Sequence, residues 1–143
     1  MIKVQQVFDT AIHLMDEQNA TNGNTMTGDT EEYRLRTISI LNAIMPRLYP
    51  YSDTYTVGES GRPSCPLLSY ASGFDKPDLN QVVPLDDTLS MGVLPYGLAA
   101  HLIAGENEEL SRWFMDRYEQ ALYDLQGKIP ANFEPIKLPY GAF

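Results

Sequence analysis

Cysteine and histidine are scarce in this sequence, and each shortage removes a class of chemistry. Cys65 is the only cysteine, so no disulfide can close within the chain and no second thiol stands at zinc-ligand spacing. That fits a reducing interior or a protein indifferent to redox. Long apolar runs are missing as well: no stretch is long enough to span a bilayer. The start, "MIKVQQVFDTAIHLMDEQN", has neither a continuous apolar core nor a small-residue cleavage site of the secretory kind. A soluble intracellular product without a membrane partner is expected, and the Asn19-Ala20-Thr21 glycosylation pattern then has no chemical use. Positive charge is the third shortage. Ten basic residues face 19 acidic ones for a net charge of −9, and Arg34, Arg36, Arg47, Arg62, Arg112 and Arg117 are scattered. Such a surface repels phosphate backbones, so a protein that grips nucleic acid is disfavoured.

What is present is enough for one domain: 143 residues, 43% of them hydrophobic. Val4, Val7, Phe8, Ala11, Ile12 and Met15 step by three and four, which predicts a helix over about 3–18. The polar "NATNGNTMTGD" that follows is a turn segment. Asp29 with Glu32 three residues on has the form of a capping box for a second helix over about 30–48, whose buried face is Ile38, Leu41, Ile44, Met45 and Leu48. Pro46 near its end distorts the last turn or stops the helix before it. From 49 to 85 the chain reads as a long irregular loop, with "TYTV" and "PLLSY" as strand candidates for one short hairpin.

Asp86-Asp87 can cap a third helical stretch, "DTLSMGVLPYGLAAHLIAG". Pro95 and Gly97 interrupt it, so it either kinks or divides into a short helix ending near Gly92 and a second opening at Pro95. Leu94, Leu98, His101 and Leu102 share a face there; Ala99 and Ala100 permit tight packing, and Gly105 stops the helix. The clearest periodicity follows, in Leu110, Trp113, Phe114, Tyr118, Ala121, Leu122 and Leu125, with Glu106, Glu108 and Glu109 at the favourable end of the helix dipole and Gly127 as its C′ residue. Leu94, Tyr96, Leu98, Trp113, Phe114, Tyr118 and Leu122 are the expected helix-packing core. The fold class expected is mostly α: a small antiparallel bundle of about four helices over residues 1–127, with an extended tail over 128–143. Three prolines bar that tail from a continuous helix, yet Ile129, Phe133, Ile136, Leu138, Tyr140 and Phe143 make it apolar. It either docks on another chain or packs back on its own core.

Catalytic options fail one by one. A nucleophile needs a base in reach and a group to orient that base. His13 lies on the polar side of its helix, His101 reads as a histidine bonded to a carbonyl, and Cys65 between two prolines has only Arg62 nearby to lower its pKa. "GESG" at 58–61 lacks the spacing of a nucleophile elbow, and Asp75, Asp78, Asp86 and Asp87 match no calcium loop. No enzyme, cofactor or metal is expected. The tetrapeptide LPYG occurs at 94–97 and again at 138–141, but no flanking likeness extends it into a repeat.

The stretch "VLPYGLAAHLIAGENEELSRWFMDRYEQALYDL" resembles small head-tail connector (adaptor) proteins of tailed bacteriophages. Leu94, Pro95, Tyr96, Gly97, Ala99, Ala100, Glu106, Asn107, Trp113, Phe114, Arg117, Tyr118 and Glu119 carry the likeness, and the first two helices fit the family's order of elements. The loop from 49 to 84 lies outside it. The resemblance implies a helical subunit that forms a homo-oligomeric ring below the portal protein in the virion neck, with a tail-completion protein attached. Double-stranded DNA would pass through without specific binding. A competing expectation is an acidic, non-enzymatic binding module that engages a host or regulatory protein.

Overall fold

The computed structural model describes residues 1–17, 19–55, 65–70 and 76–126. The protein is mostly helical: α1 (Val4–Met15), α2 (Glu31–Leu48), α3 (Asp87–Gly92), α4 (Leu94–Ile103) and α5 (Glu108–Gln126) form a bundle. The stretch in which a kink or a division was expected is divided, with α3 ending at Gly92 and α4 opening with Pro95 in its first turn. Gly127, the tail residues Ile129, Phe133, Ile136, Leu138, Tyr140 and Phe143, "GESG", Asp75 and half of "TYTV" lie outside the described residues.

α4 sits in the middle and packs against each of the other four helices. That position explains its composition. Leu94, Pro95, Gly97, Leu98, Ala99, Ala100, Leu102 and Ile103 are all buried, because a helix with neighbours on most sides needs apolar residues round most of its circumference rather than on one stripe. His101 is the correction here: the face it was expected to share with Leu94, Leu98 and Leu102 is buried, whereas His101 itself is exposed. Gly97 lies directly against the Tyr118 ring of α5 and Ile44 of α2. α1 buries all six positions of its predicted stripe. α2 buries its expected five together with Tyr33 and Thr37.

Two local expectations are corrected, at the start of α2 and at the end of α1. The capping box on Asp29 is not formed: the N-cap is Thr30, one residue later, and its side chain does not cap the helix. Instead the buried Thr30 hydroxyl donates to the Thr25 carbonyl at 2.6 Å, which ties the α1–α2 connection down. α1 ends at Met15, earlier than the sequence suggests, with Asp16 in the left-handed conformation at φ 59°. α2 runs through Pro46 to Leu48 and tightens into a single 3-10 turn over Tyr49–Tyr51, the form that helix ends often take. The connection between α1 and α2 is itself a chain of Asn turns, in which Asn19, Asn22 and Asn24 each accept from the backbone N–H two residues on.

The irregular region has no named strand among the described residues, only the isolated bridges Lys3 to Val82 and Tyr70 to Pro77. Side-chain amides replace a ladder. Asn42 on α2 donates to the Leu68 carbonyl at 3.0 Å and accepts from the Leu68 N–H at 2.8 Å. Gln81 treats Ser69 the same way, at 2.7 and 2.9 Å. Asp86 closes the region: its Oδ1 caps α3 by accepting from Leu89 N–H at 2.9 Å, as expected, and its Oδ2 accepts from Asp53 N–H at 3.0 Å. Replacing Asn42 with Ala strands both Leu68 groups, so Asn42→Ala is expected to cost about 1–3 kcal/mol. Amide exchange at Leu68 should accelerate while that of α4 keeps its order of protection.

Candidate functional site

α5 divides its aromatic segment between two surfaces. Phe114, Tyr118 and Leu122 recur every fourth residue, point into the bundle and are buried. Trp113 and Arg117, each one residue earlier, are rotated about 100° from that row and face outward. Trp113, expected in the core, is therefore corrected: it is 48% exposed. A run stepping by three and four across seven apolar positions covers a wider arc than the neighbouring helix can bury. Tyr96, also expected in the core, is half-buried against it, whereas Leu94 and Leu98 are fully enclosed.

The exposed indole is held in place. Its ring stands edge-on to Phe114, with centroids 5.2 Å apart and planes at 70°, and the Arg117 guanidinium lies 4.9 Å from its centroid on the outer side. Beside it Asn107, Glu109, Leu110 and Trp113 line an open hollow of about 410 Å³. Tyr123, 71% exposed, adds a second exposed aromatic ring about three turns farther along α5. Asn107 supports the start of the helix by accepting from the Leu110 N–H at 3.0 Å. Ser111 donates to the Ala100 carbonyl at 2.8 Å and locks α5 onto α4.

An acidic end of the bundle flanks this face. Tyr33 of α2 donates to Glu106 Oε2 at 2.6 Å, and burial, with that bond and the acids around it, pushes its phenol well above the usual range. Arg36 lies against the Tyr33 ring at 5.8 Å and donates to the Leu102 carbonyl at 3.0 Å. Burial first, then repulsion from Glu106, Asp16 and Asp29, raises the Glu17 carboxyl above its ordinary range. A proton therefore binds Glu17 more tightly in the folded chain than in the unfolded one. Its ionisation opposes folding, and the opposition disappears as pH falls through the carboxylate range. Glu17→Gln is expected to raise the melting temperature at neutral pH and to change nothing in acid, where Glu17 is already neutral; thermal scans at both pH values check this.

The candidate chemical groups are each engaged locally. His13 Nε2 lies 3.1 Å from the Gly23 carbonyl, and His101 Nδ1 lies 2.7 Å from the Gly97 carbonyl, the carbonyl contact expected for it. The half-buried Cys65 thiol donates to the Pro66 carbonyl at 3.4 Å, and burial pushes its pKa up, opposite to what a thiolate nucleophile needs. Asp78 accepts from Asn80 N–H at 3.0 Å as a turn residue, and Asp86 is a cap. Among the described residues there is no group of three or more His, Cys, Asp or Glu side chains that could hold a metal, and no helix long and apolar enough to cross a membrane. Sequence spacing grouped Trp113 with the core residues; its outward direction depends on where α4 lies against α5. Comparisons with protein-family models, with curated proteins and with solved structures find no match for this chain.

Proposed function

We propose that this chain is a structural phage assembly protein: a head-tail connector (adaptor) subunit that assembles with itself into a ring below the portal and links it to the tail. The reading places it in the virion neck, and in the host cytoplasm before assembly, without enzyme activity or cofactor. One observation carries it furthest. The Trp113–Glu119 segment on which the resemblance rests has an inward half, Phe114 and Tyr118, that the bundle consumes, and an outward half, Trp113 and Arg117, that the described residues leave exposed. Trp, Tyr and Arg are the residue types that dominate interface energetics, and here Trp113, Arg117 and Tyr123 share the outer side of one helix. A net charge of −9 suits a channel through which DNA slides, since it opposes adhesion to phosphate.

A second reading, an acidic binding module for a host or regulatory protein, draws on the same surface. The Trp113 hollow is bordered by Glu109 and Asn107, which suits a basic partner. Electron microscopy of the purified chain at high concentration separates the two. A connector subunit gives closed rings; particles that stay at the 16.1 kDa monomer and bind a basic protein support the module instead.

A further inference from the structure

A second groove lies at the opposite end of α5 from Trp113. Thr88 and Gly92 of α3, Val93, and Ala121, Asp124 and Leu125 in the last turns of α5 enclose about 270 Å³. Ala121 and Leu125 are only half-buried there, and Gly92 contributes no side chain to fill the space. The volume falls below the ~300–1,000 Å³ of small-molecule pockets, so single apolar side chains suit it better than a ligand.

We infer that this groove is the seat of the chain's own residues 128–143, docked in cis. The segment begins beside the groove: Ile129 is four residues beyond Leu125, a distance the backbone spans in at most ~14 Å. Its sequence supplies what the groove lacks, with Ile129, Phe133 and Ile136 as large apolar side chains. Charge agrees. The whole chain carries −9 and this segment +1, from Lys128 and Lys137 against Glu134, so the remaining residues carry −10, with Asp124 in the groove wall four positions before Lys128. Tethering favours the chain's own groove over that of a second copy, because a short connection gives an effective concentration in the ~mM range. The inference does not rest on the connector reading. It applies to the single chain and holds for either proposed function.

Paramagnetic broadening in the full-length chain tests it. A nitroxide is placed at Glu119→Cys, exposed on α5 two residues before Ala121 and outside the groove wall, in a Cys65→Ser background, which leaves one thiol and alters no buried apolar side chain. Amide signals of Ile129, Ala131, Asn132, Phe133, Glu134 and Ile136 are expected to broaden strongly when label and signals are in the same molecule. They are expected to stay sharp when nitroxide-bearing chains are mixed with isotope-labelled chains that lack the nitroxide. Sharp signals in the same-molecule sample overturn the inference. So does broadening in the mixed sample, which would seat the segment on a second copy.

Discussion

Phe114→Ala is expected to lower the unfolding free energy by about 3–5 kcal/mol, the usual range for deleting a fully enclosed phenylalanine. Phe114 is 1% exposed and lies on the face of α5 that meets the central helix. Its removal opens a cavity beneath Trp113, whose indole stands edge-on to it. Trp113→Ala, one position away, is expected to cost far less than Phe114→Ala, because Trp113 is already 48% exposed. Urea unfolding of the two variants measures the contrast, with unchanged slopes showing that only stability moved. Equal losses would mean that Trp113 belongs to the core after all.

Gly97→Val is the second large effect. Inside an ordinary helix, replacing glycine with alanine removes a penalty of about 1 kcal/mol, and with β-branched valine a smaller one. At Gly97 a Cβ would meet Tyr118 Cδ2 at 3.0 Å, Tyr118 Cε2 at 3.1 Å and Ile44 Cδ1 at 3.2 Å. Both neighbours belong to packed helices, and Tyr118 is 3% exposed, so neither ring nor methyl can swing into solvent. Overpacking of this kind costs about 1–3 kcal/mol, and the branched valine lies at the upper end. A double-mutant cycle identifies the cause: in a Tyr118→Ala background the penalty of Gly97→Val should shrink, because the ring it strikes is gone. Additive losses would place the strain elsewhere.

The elements that sequence spacing describes well are those with one buried face. α1 is the clearest case: Val4, Val7, Phe8, Ala11, Ile12 and Met15 are its buried residues, as their spacing implies. α4 is harder, because a helix enclosed on most sides has little amphipathic period to read. Its near-continuous apolar composition was the available sign, and the stripe assigned through His101 misplaced that one polar residue. The start of α2 shows a finer limit. Asp29 and Glu32 have the letters of a capping box, yet the buried Thr30 hydroxyl bonds back to Thr25, and this shifts the helix start by one residue. The paths of residues 65–70 and 76–83 were not legible, since Asn42 and Gln81 hold them with amides that act on backbone 26 and 12 positions away. The outer surface of α5 was half legible. The aromatic segment stood out, but its division into Phe114 and Tyr118 within and Trp113 and Arg117 without needs the position of α4.

Self-association through that outer face is the central claim, and the mass of the chain in solution tests it most directly. Light scattering on wild type and on the double variant Trp113→Ala, Arg117→Glu, over a wide range of concentration, separates the outcomes. If α5 carries the contact, wild type rises to multiples of 16.1 kDa while the variant, still helical by circular dichroism, stays monomeric. A variant that associates as wild type does, or a wild type that remains monomeric throughout, would contradict it.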